Sequence, residues 1–265
     1  MRLGIAGAAG RMGQMLVREA SATAAVIVAS ASEALGSPML GKDAGEVAGL
    51  GSLGVAIVDD PRALFEAADV VLDFTAPAAS LGHAAIAART GKAFVVGTTG
   101  IAKDQEQAFA EAGKRAVVVR AANFSLGVNL MLALVQRAAA SLDPAWDIEI
   151  VEMHHRHKVD APSGTALALG HAAAKGRGVA LDEVAERGRD GVTGARNKGA
   201  IGFAALRGGD VAGEHTVVFA ADGERLELTH KATTRGIFAR GALKAALWTQ
   251  GRAPGLYSMT DVLGL

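Results

Sequence analysis

The chain has 265 residues, half of them apolar, which is enough to bury a sizeable core in one or two domains. Lys+Arg and Asp+Glu balance at 27 each and only 4% of residues are aromatic, which argues against a nucleic acid, an anionic membrane surface or a base-stacking platform as partner. There is no cysteine, so disulfides, cysteine nucleophiles and thiolate zinc sites are excluded and a reducing compartment suits the composition.

Met1-Arg2 leads straight into an apolar strand with no targeting signal. The apolar stretch around Leu126–Val135 is interrupted by Asn129 and is too short to span a bilayer. The expectation is a cytoplasmic protein with no membrane partner. From Leu3 onward, short apolar runs alternate with amphipathic segments. Strands are predicted at Leu3–Ala6, Val26–Ser30, Val55–Val58, Val70–Phe74, Phe94–Val96 and Ala116–Val119. Helices are predicted at Arg11–Ala20, Pro61–Ala67, Ala78–Thr90 and Lys103–Ala112. This alternation implies βαβ units and a parallel sheet covered on both faces. Residues 34–54, with six glycines and no clear period, read as a long loop.

The character then changes. Ser125–Ser141 reads as one long helix and Trp146–Met153 as an alternating strand, and a further helix is predicted at Thr165–Ala174. Residues 176–200, rich in glycine and charge, read as a loop. Glu214–Ala221 and Glu224–Lys231 flank Asp222-Gly223, a two-residue hairpin signal, so a second, α+β domain with an antiparallel sheet is expected. A last helix is predicted at Ile237–Gln250.

Between the first strand and the first helix stands Gly7-Ala8-Ala9-Gly10-Arg11-Met12-Gly13. Glycines at intervals of three permit a tight turn and close approach of backbone to phosphate, and the helix start beyond them supplies N–H groups and partial positive charge. Ala8 stands where the common dinucleotide fingerprint has glycine. Glu33 follows the second strand about 20 residues later, where an acidic side chain meets the adenosine ribose. A Rossmann dinucleotide-binding domain is the expectation; a flavodoxin-like domain with a Gly-rich loop is the alternative. Gly97-Thr98-Thr99-Gly100 and Ala121-Ala122-Asn123-Phe124 end two further strands, where ligands lie in such sheets, unless both are merely structural turns.

The densest chemistry is the run Glu152-Met153-His154-His155-Arg156-His157-Lys158-Val159-Asp160-Ala161-Pro162-Ser163-Gly164-Thr165-Ala166, which holds three of the seven histidines. Extended alternation would send His154 and Arg156 to one side and His155 and His157 to the other. A metal site lacks a helical i, i+4 histidine pair or a nearby carboxylate to complete it, so no metal is expected. A solvated basic strand end is a second reading. The third is an anion-binding and proton-donating site: Ser163 or Thr165 caps a helix whose start, at Gly164, offers bare N–H groups to a carboxylate beside His and Lys donors. The only tyrosine, Tyr257, is followed four residues on by Asp261, which excludes a Tyr-x-x-x-Lys dehydrogenase.

This run closely resembles the signature of the dihydrodipicolinate reductase (4-hydroxy-tetrahydrodipicolinate reductase) family of bacterial lysine and diaminopimelate synthesis. The likeness extends through Asp73-Phe74-Thr75, Gly97-Thr98-Thr99-Gly100, Ala122-Asn123-Phe124-Ser125, Gly208-Gly209-Asp210, Gly213-Glu214-His215-Thr216 and Thr229-His230-Lys231-Ala232. The resemblance implies reduction of a small dicarboxylate by NADH or NADPH. His154 and Lys158 match its proton donors, and His155, Gly164 and Thr165 its substrate contacts. Gly7, Ala8, Ala9, Gly10, Arg11, Met12, Gly97, Thr98, Thr99, Ala121, Ala122, Asn123 and Phe124 match its cofactor contacts. It also implies a dinucleotide-binding domain at 1–124 completed by the C-terminal helix of 235–265, and an α+β domain at 125–234 that binds substrate and builds a homotetramer through the region 201–231. After Glu33, members that accept NADPH well often carry arginine, whereas this chain has Ala34, so NADH is the expected preference. A non-catalytic dinucleotide sensor and a dehydrogenase of a related aspartate-derived substrate are the competing readings.

Overall fold

In the computed structural model, which describes residues 1–265, the apolar runs of the first half become parallel strands separated by helices. In chain order these are β1 (Arg2–Ala6), α1 (Arg11–Ser21), β2 (Ile27–Ser32), α2 (Ala44–Val47), β3 (Ile57–Val58), α3 (Pro61–Glu66), β4 (Val70–Asp73), α4 (Pro77–Thr90), β5 (Ala93–Val96), α5 (Gln107–Gly113) and β6 (Val117–Arg120). The chain continues through α6 (Leu126–Ser141), β7 (Asp147–His154), α7 (Gly164–Arg177), α8 (Leu181–Val184), β8 (Ala185–Arg187), β9 (Ile201–Arg207), β10 (Gly213–Ala221) and β11 (Glu224–Ala232). It closes with α9 (Gly236–Trp248), β12 (Gly255–Tyr257) and α10 (Met259–Leu263). Two compact units result: Met1–Leu126 with Gly236–Gly264, and Gly127–Arg235. No helix is long and apolar enough to cross a membrane.

The first unit is built on a seven-stranded parallel sheet of order β12-β6-β5-β4-β1-β2-β3. All four residues of β4 are buried, as in a strand covered on both faces. One face packs against α1, α9 and α10 through Leu16, Val17, Ala242 and Val262, the other against α3, α4 and α5 through Leu64, Ala84 and Phe109. The strand order reverses between β4 and β1, the crevice where such sheets bind dinucleotides. Three details depart from the sequence reading. β2 runs on to Ser32, because Ser30 and Ser32 are buried strand residues whose hydroxyls break the apolar pattern. Residues 34–54 are not all loop: they contain α2, capped by Asp43, whose carboxylate also accepts from Ser52, Leu53 and Val55. The three-residue β12 extends the sheet beside β6 and was too short to show a period.

The second unit carries a five-stranded sheet of order β11-β10-β7-β9-β8. It is mixed rather than antiparallel: β10 runs antiparallel to β7 and β11, while β9 is parallel to β7 and β8. Along β7 alternate residues Ile148, Ile150, Glu152 and His154 are buried, and the first two meet Met131, Val135, Leu169 and Ala173 of α6 and α7. Residues 176–200 are likewise more than a loop. They hold the end of α7, α8 and β8: Leu181 of α8 is buried in the core with Val184 and Ala185 against it, and ion pairs of Arg189 with Glu149 and Glu186 and of Arg196 with Asp147 tie down the rest of the segment.

Candidate functional site

In the first unit the glycine turn does what its spacing requires. Gly7 has φ of 65° and a Cβ there would lie 2.8 Å from Thr75 Cγ2. At Gly13 a Cβ would sit 2.0 Å from the Gly7 carbonyl oxygen, so only glycine lets α1 close onto the turn. Gly10 is the N-cap of α1 and no side chain caps the helix, which leaves the first-turn N–H groups beside Arg11 and Met12 for an anion. Ala8 is buried and its N–H donates to Ser32 O at 3.0 Å. Glu33 lies against the same turn: its carboxylate accepts from Ala9 N–H at 2.9 Å and from Ala34 N–H at 3.2 Å. A pyrophosphate fits this cradle of backbone donors and close-packed glycines, with an acidic group beside it for a ribose hydroxyl.

The two other strand ends lie in the same unit. Thr99 is exposed, whereas Thr98 is buried and turns its hydroxyl inward, 3.3 Å from Asp73 Oδ1. Gly97 is required by the Phe74 ring, which a Cβ would meet at 2.1 Å. Ala122 is exposed, and Asn123 Oδ1 accepts from Ser125 N–H at 2.8 Å. Phe124 is buried edge-on to Phe74, with ring centroids 5.3 Å apart, and Gly241 of α9 packs directly on its carbonyl.

In the second unit strand parity builds the site. Glu152 and His154 continue the buried side of β7, and register sets His215 of β10 opposite Glu152 and Arg207 of β9 opposite His154. The Glu152 carboxylate is saturated. It accepts from Arg207 at 2.7 and 2.8 Å, from Ser163 N–H at 3.1 Å and from His154 Nδ1–H at 2.6 Å. Burial alone would push the Glu152 carboxyl up, but the hydrogen bonds from Arg207, His154 and Ser163 outweigh it and hold the group below its ordinary range. His154 therefore has its Nδ1 fixed as donor, and Nε2, toward Gly213, is the nitrogen left to exchange a proton.

Ser163 caps α7, accepting from Ala166 N–H at 3.2 Å, and its hydroxyl also meets His215 Nε2 at 3.1 Å. Gly164 is exposed at the helix start, and a Cβ there would meet nothing within 4 Å. Thr165 follows, half-buried. The extended alternation expected through 154–157 stops at His154: residues 155–158 turn, with His155 N–H on Val211 O and Arg156 N–H on Gly209 O. His155 and His157 consequently lie near one another, with ring centroids 6.3 Å apart. Lys158 is half-buried and pairs with Asp160 at 2.8 Å.

Desolvation, then the charges of Arg235, His157, His154 and Lys158, hold His155 below the usual imidazole range. Arg235 and Lys158 nearby give this patch a positive charge that suits an anion, while His155 itself leans toward its neutral form. His215 is held down to about 4 by burial first and by His154 second, so it is neutral at pH 7. A carboxylate does lie next to His154, contrary to the sequence reading, but it is fully engaged by Arg207 and Ser163, and no group of three His, Cys, Asp or Glu residues could hold a metal ion. Glu152, Arg207 and His215 are the members that carried no role in the sequence. Parity along β7 pointed to Glu152, whereas Arg207 and His215 are 55 and 52 residues from their partners and had no local signal.

Residues 1–124 match the family model described as the N-terminus of dihydrodipicolinate reductase, and residues 127–263 match that of its C-terminus. The 4-hydroxy-tetrahydrodipicolinate reductase of Ruegeria pomeroyi is 59% identical over 98% of this chain and 97% of that protein. That of Brucella abortus is 57% identical over 100% of this chain and 99% of that protein. A dipicolinate-bound dihydrodipicolinate reductase from Paenisporosarcina sp. TG-14 superposes with a TM-score of 0.80 at 25% identity, covering 98% of both chains. With its glycine turn, its saturated Glu152–His154 pair and both halves matched in order, the chain belongs to the dihydrodipicolinate reductase family.

Proposed function

We propose that the chain reduces 4-hydroxy-tetrahydrodipicolinate to tetrahydrodipicolinate with a reduced nicotinamide dinucleotide, adding one hydride and one proton while the 4-hydroxyl leaves as water. The observation that carries this reading is the pairing of a fixed imidazole at His154 with a cationic, helix-capped anion cradle at His155, Lys158 and Gly164-Thr165. Gly7, Ala8, Ala9, Gly10, Arg11, Met12 and Glu33, with the strand ends at Gly97–Thr99 and Ala121–Phe124, hold the dinucleotide, which supplies the hydride when bound. His154 Nε2 delivers the proton, since Glu152 keeps Nδ1 engaged throughout. Lys158 exchanges Asp160 for a substrate carboxylate and is the alternative proton donor. His155 and the start of α7 hold the dicarboxylate.

Loss of absorbance of the reduced nicotinamide, with the upstream aldolase supplying substrate, tests the activity and separates it from a dinucleotide sensor and from a related aspartate-family dehydrogenase. His154→Gln is expected to lower kcat by about a hundredfold, as loss of a general acid does. Lys158→Met should cripple turnover with the affinity for the dinucleotide nearly intact. Turnover surviving in both variants would sink the assignment.

NADH is the preferred cofactor in this reading. Glu33 sits against the turn, Ala34 offers no guanidinium, and the 2′-phosphate of NADPH would meet a carboxylate without a bidentate partner. Initial rates with the two cofactors check it, and tenfold better efficiency with NADPH would defeat it. The assembly implied by the family, a homotetramer formed through 201–231, belongs to the same proposal.

A further inference from the structure

The first unit carries a buried polar cluster that neither donates a proton nor meets the glycine turn's N–H groups. β4 ends on Asp73, which has no exposed surface. Its Oδ1 accepts from the Thr75 N–H at 2.9 Å, from the Thr75 hydroxyl at 2.6 Å and from Thr98 at 3.3 Å, while Oδ2 accepts from His83 Nδ1–H at 2.8 Å. The Ser80 hydroxyl donates to Thr98 Oγ1 at 2.7 Å, and the Asp73 carbonyl accepts from Gly97 N–H at 2.8 Å. Ser80, His83 and Thr98 are all buried, and His83 is walled by Phe65 and Phe94. Burial alone would push the Asp73 carboxyl up; His83 and Thr75 outweigh it and keep the group below its ordinary range.

A buried carboxylate hydrogen-bonded to an imidazole is a poor way to stabilise a core, because desolvation offsets most of the attraction, whereas it fixes geometry well. What this cluster fixes is two loops. Thr75 follows β4 and touches Gly7, the first glycine of the turn. Thr98 follows β5, and Ser80 and His83 of α4 reach the pair from behind. Both loops sit at carboxyl ends of strands beside the reversal of strand order between β4 and β1. We propose that His83, acting through Asp73, is a positioning residue for the dinucleotide: the His83–Asp73–Thr98–Ser80 cluster sets the spacing of the 74–76 and 97–100 loops against the glycine turn. The inference rests on the reading of this unit as the cofactor-binding half.

Removing His83 leaves Asp73 buried and short of a donor, so the carboxylate draws on Thr98 or takes up a proton, and the two loops lose their common anchor. The experiment compares the parent with His83→Leu, His83→Asn and Ser80→Ala. It reads the Kd of NADH from the fluorescence of the bound reduced nicotinamide, the KM of the dicarboxylate at saturating NADH, and the melting temperature. His83→Leu is expected to raise the NADH Kd about tenfold while the dicarboxylate KM stays within about twofold. The Asn variant, whose amide N–H replaces the Nδ1 donor, should return the Kd to within about threefold of the parent. A folded His83→Leu that binds NADH like the parent overturns the proposal, as does an Asn variant no better than Leu. If His83→Leu does not fold, Ser80→Ala decides: a raised Kd supports the cluster and an unchanged one overturns it. A parent that binds no NADH would instead sink the cofactor-site reading itself.

Discussion

At Glu152 four donors converge on one carboxylate, two from Arg207, one from Ser163 and one from His154. The donors come from three segments, so the carboxylate that holds the imidazole two residues away is itself fixed by the fold, through Arg207 and Ser163. Glu152→Gln keeps the volume but leaves Arg207 without its counter-charge and gives His154 a weaker acceptor. We predict a fall in kcat of about ten- to a hundredfold with little change in the Kd of NADH. A kcat within twofold of the parent would mean that the carboxylate does not orient the imidazole. The residue types at 154, 158 and 163–165 were legible in the sequence because their chemistry is local: a His and Lys cluster followed by a helix start. Arg207 was silent there, since an arginine at a strand end looks solvated until register sets it opposite His154.

Between elements, His215 joins β10 to the cap of α7 through Ser163. It is held down to about 4 in the folded chain against 6.5 as its ordinary value. Between those two values the unfolded chain binds a proton that the folded one refuses. Stability therefore rises with pH across this window and is lost as the medium is acidified from about 6.5 toward 4, by up to about 3 kcal/mol. Urea melts of the parent and His215→Gln at several pH values check this. The variant is expected to show a shallower acid slope, and parallel slopes would refute the assignment. Element by element, the βαβ half was readable because parallel strands buried on both faces are plain apolar runs. The second half was less so. β9 is parallel to β7 within a sheet read as antiparallel, and α8 and β8 rest on one buried leucine, Leu181, and on ion pairs of Arg189 and Arg196 around β8, too little to show a hydrophobic period.

For the molecule as a whole, the second sheet has only one face against helices. On its other face Val151, Met153, Ala204, Leu206 and Val218 are half-buried or exposed, a row of apolar side chains across three adjacent strands. We predict that copies of the chain associate through this face. Light scattering should give the mass of four chains, and Leu206→Glu with Val218→Glu should reduce it to that of fewer chains while the helix-covered core stays folded. An unchanged mass in the double variant would exclude this face.

The bare start of α1 has a consequence of another kind. Its anion cradle consists of peptide N–H groups, which carry no proton that comes or goes near neutrality, whereas the cradle proposed for the second unit adds to such N–H groups an imidazole, His155, held below its ordinary range. Acid therefore reaches the second cradle through His155, while the bare helix start of the first has no such group. In the proposed reading the grip on the dinucleotide at the start of α1 is set by shape, and that on the dicarboxylate tightens only when the medium is acid enough to protonate His155.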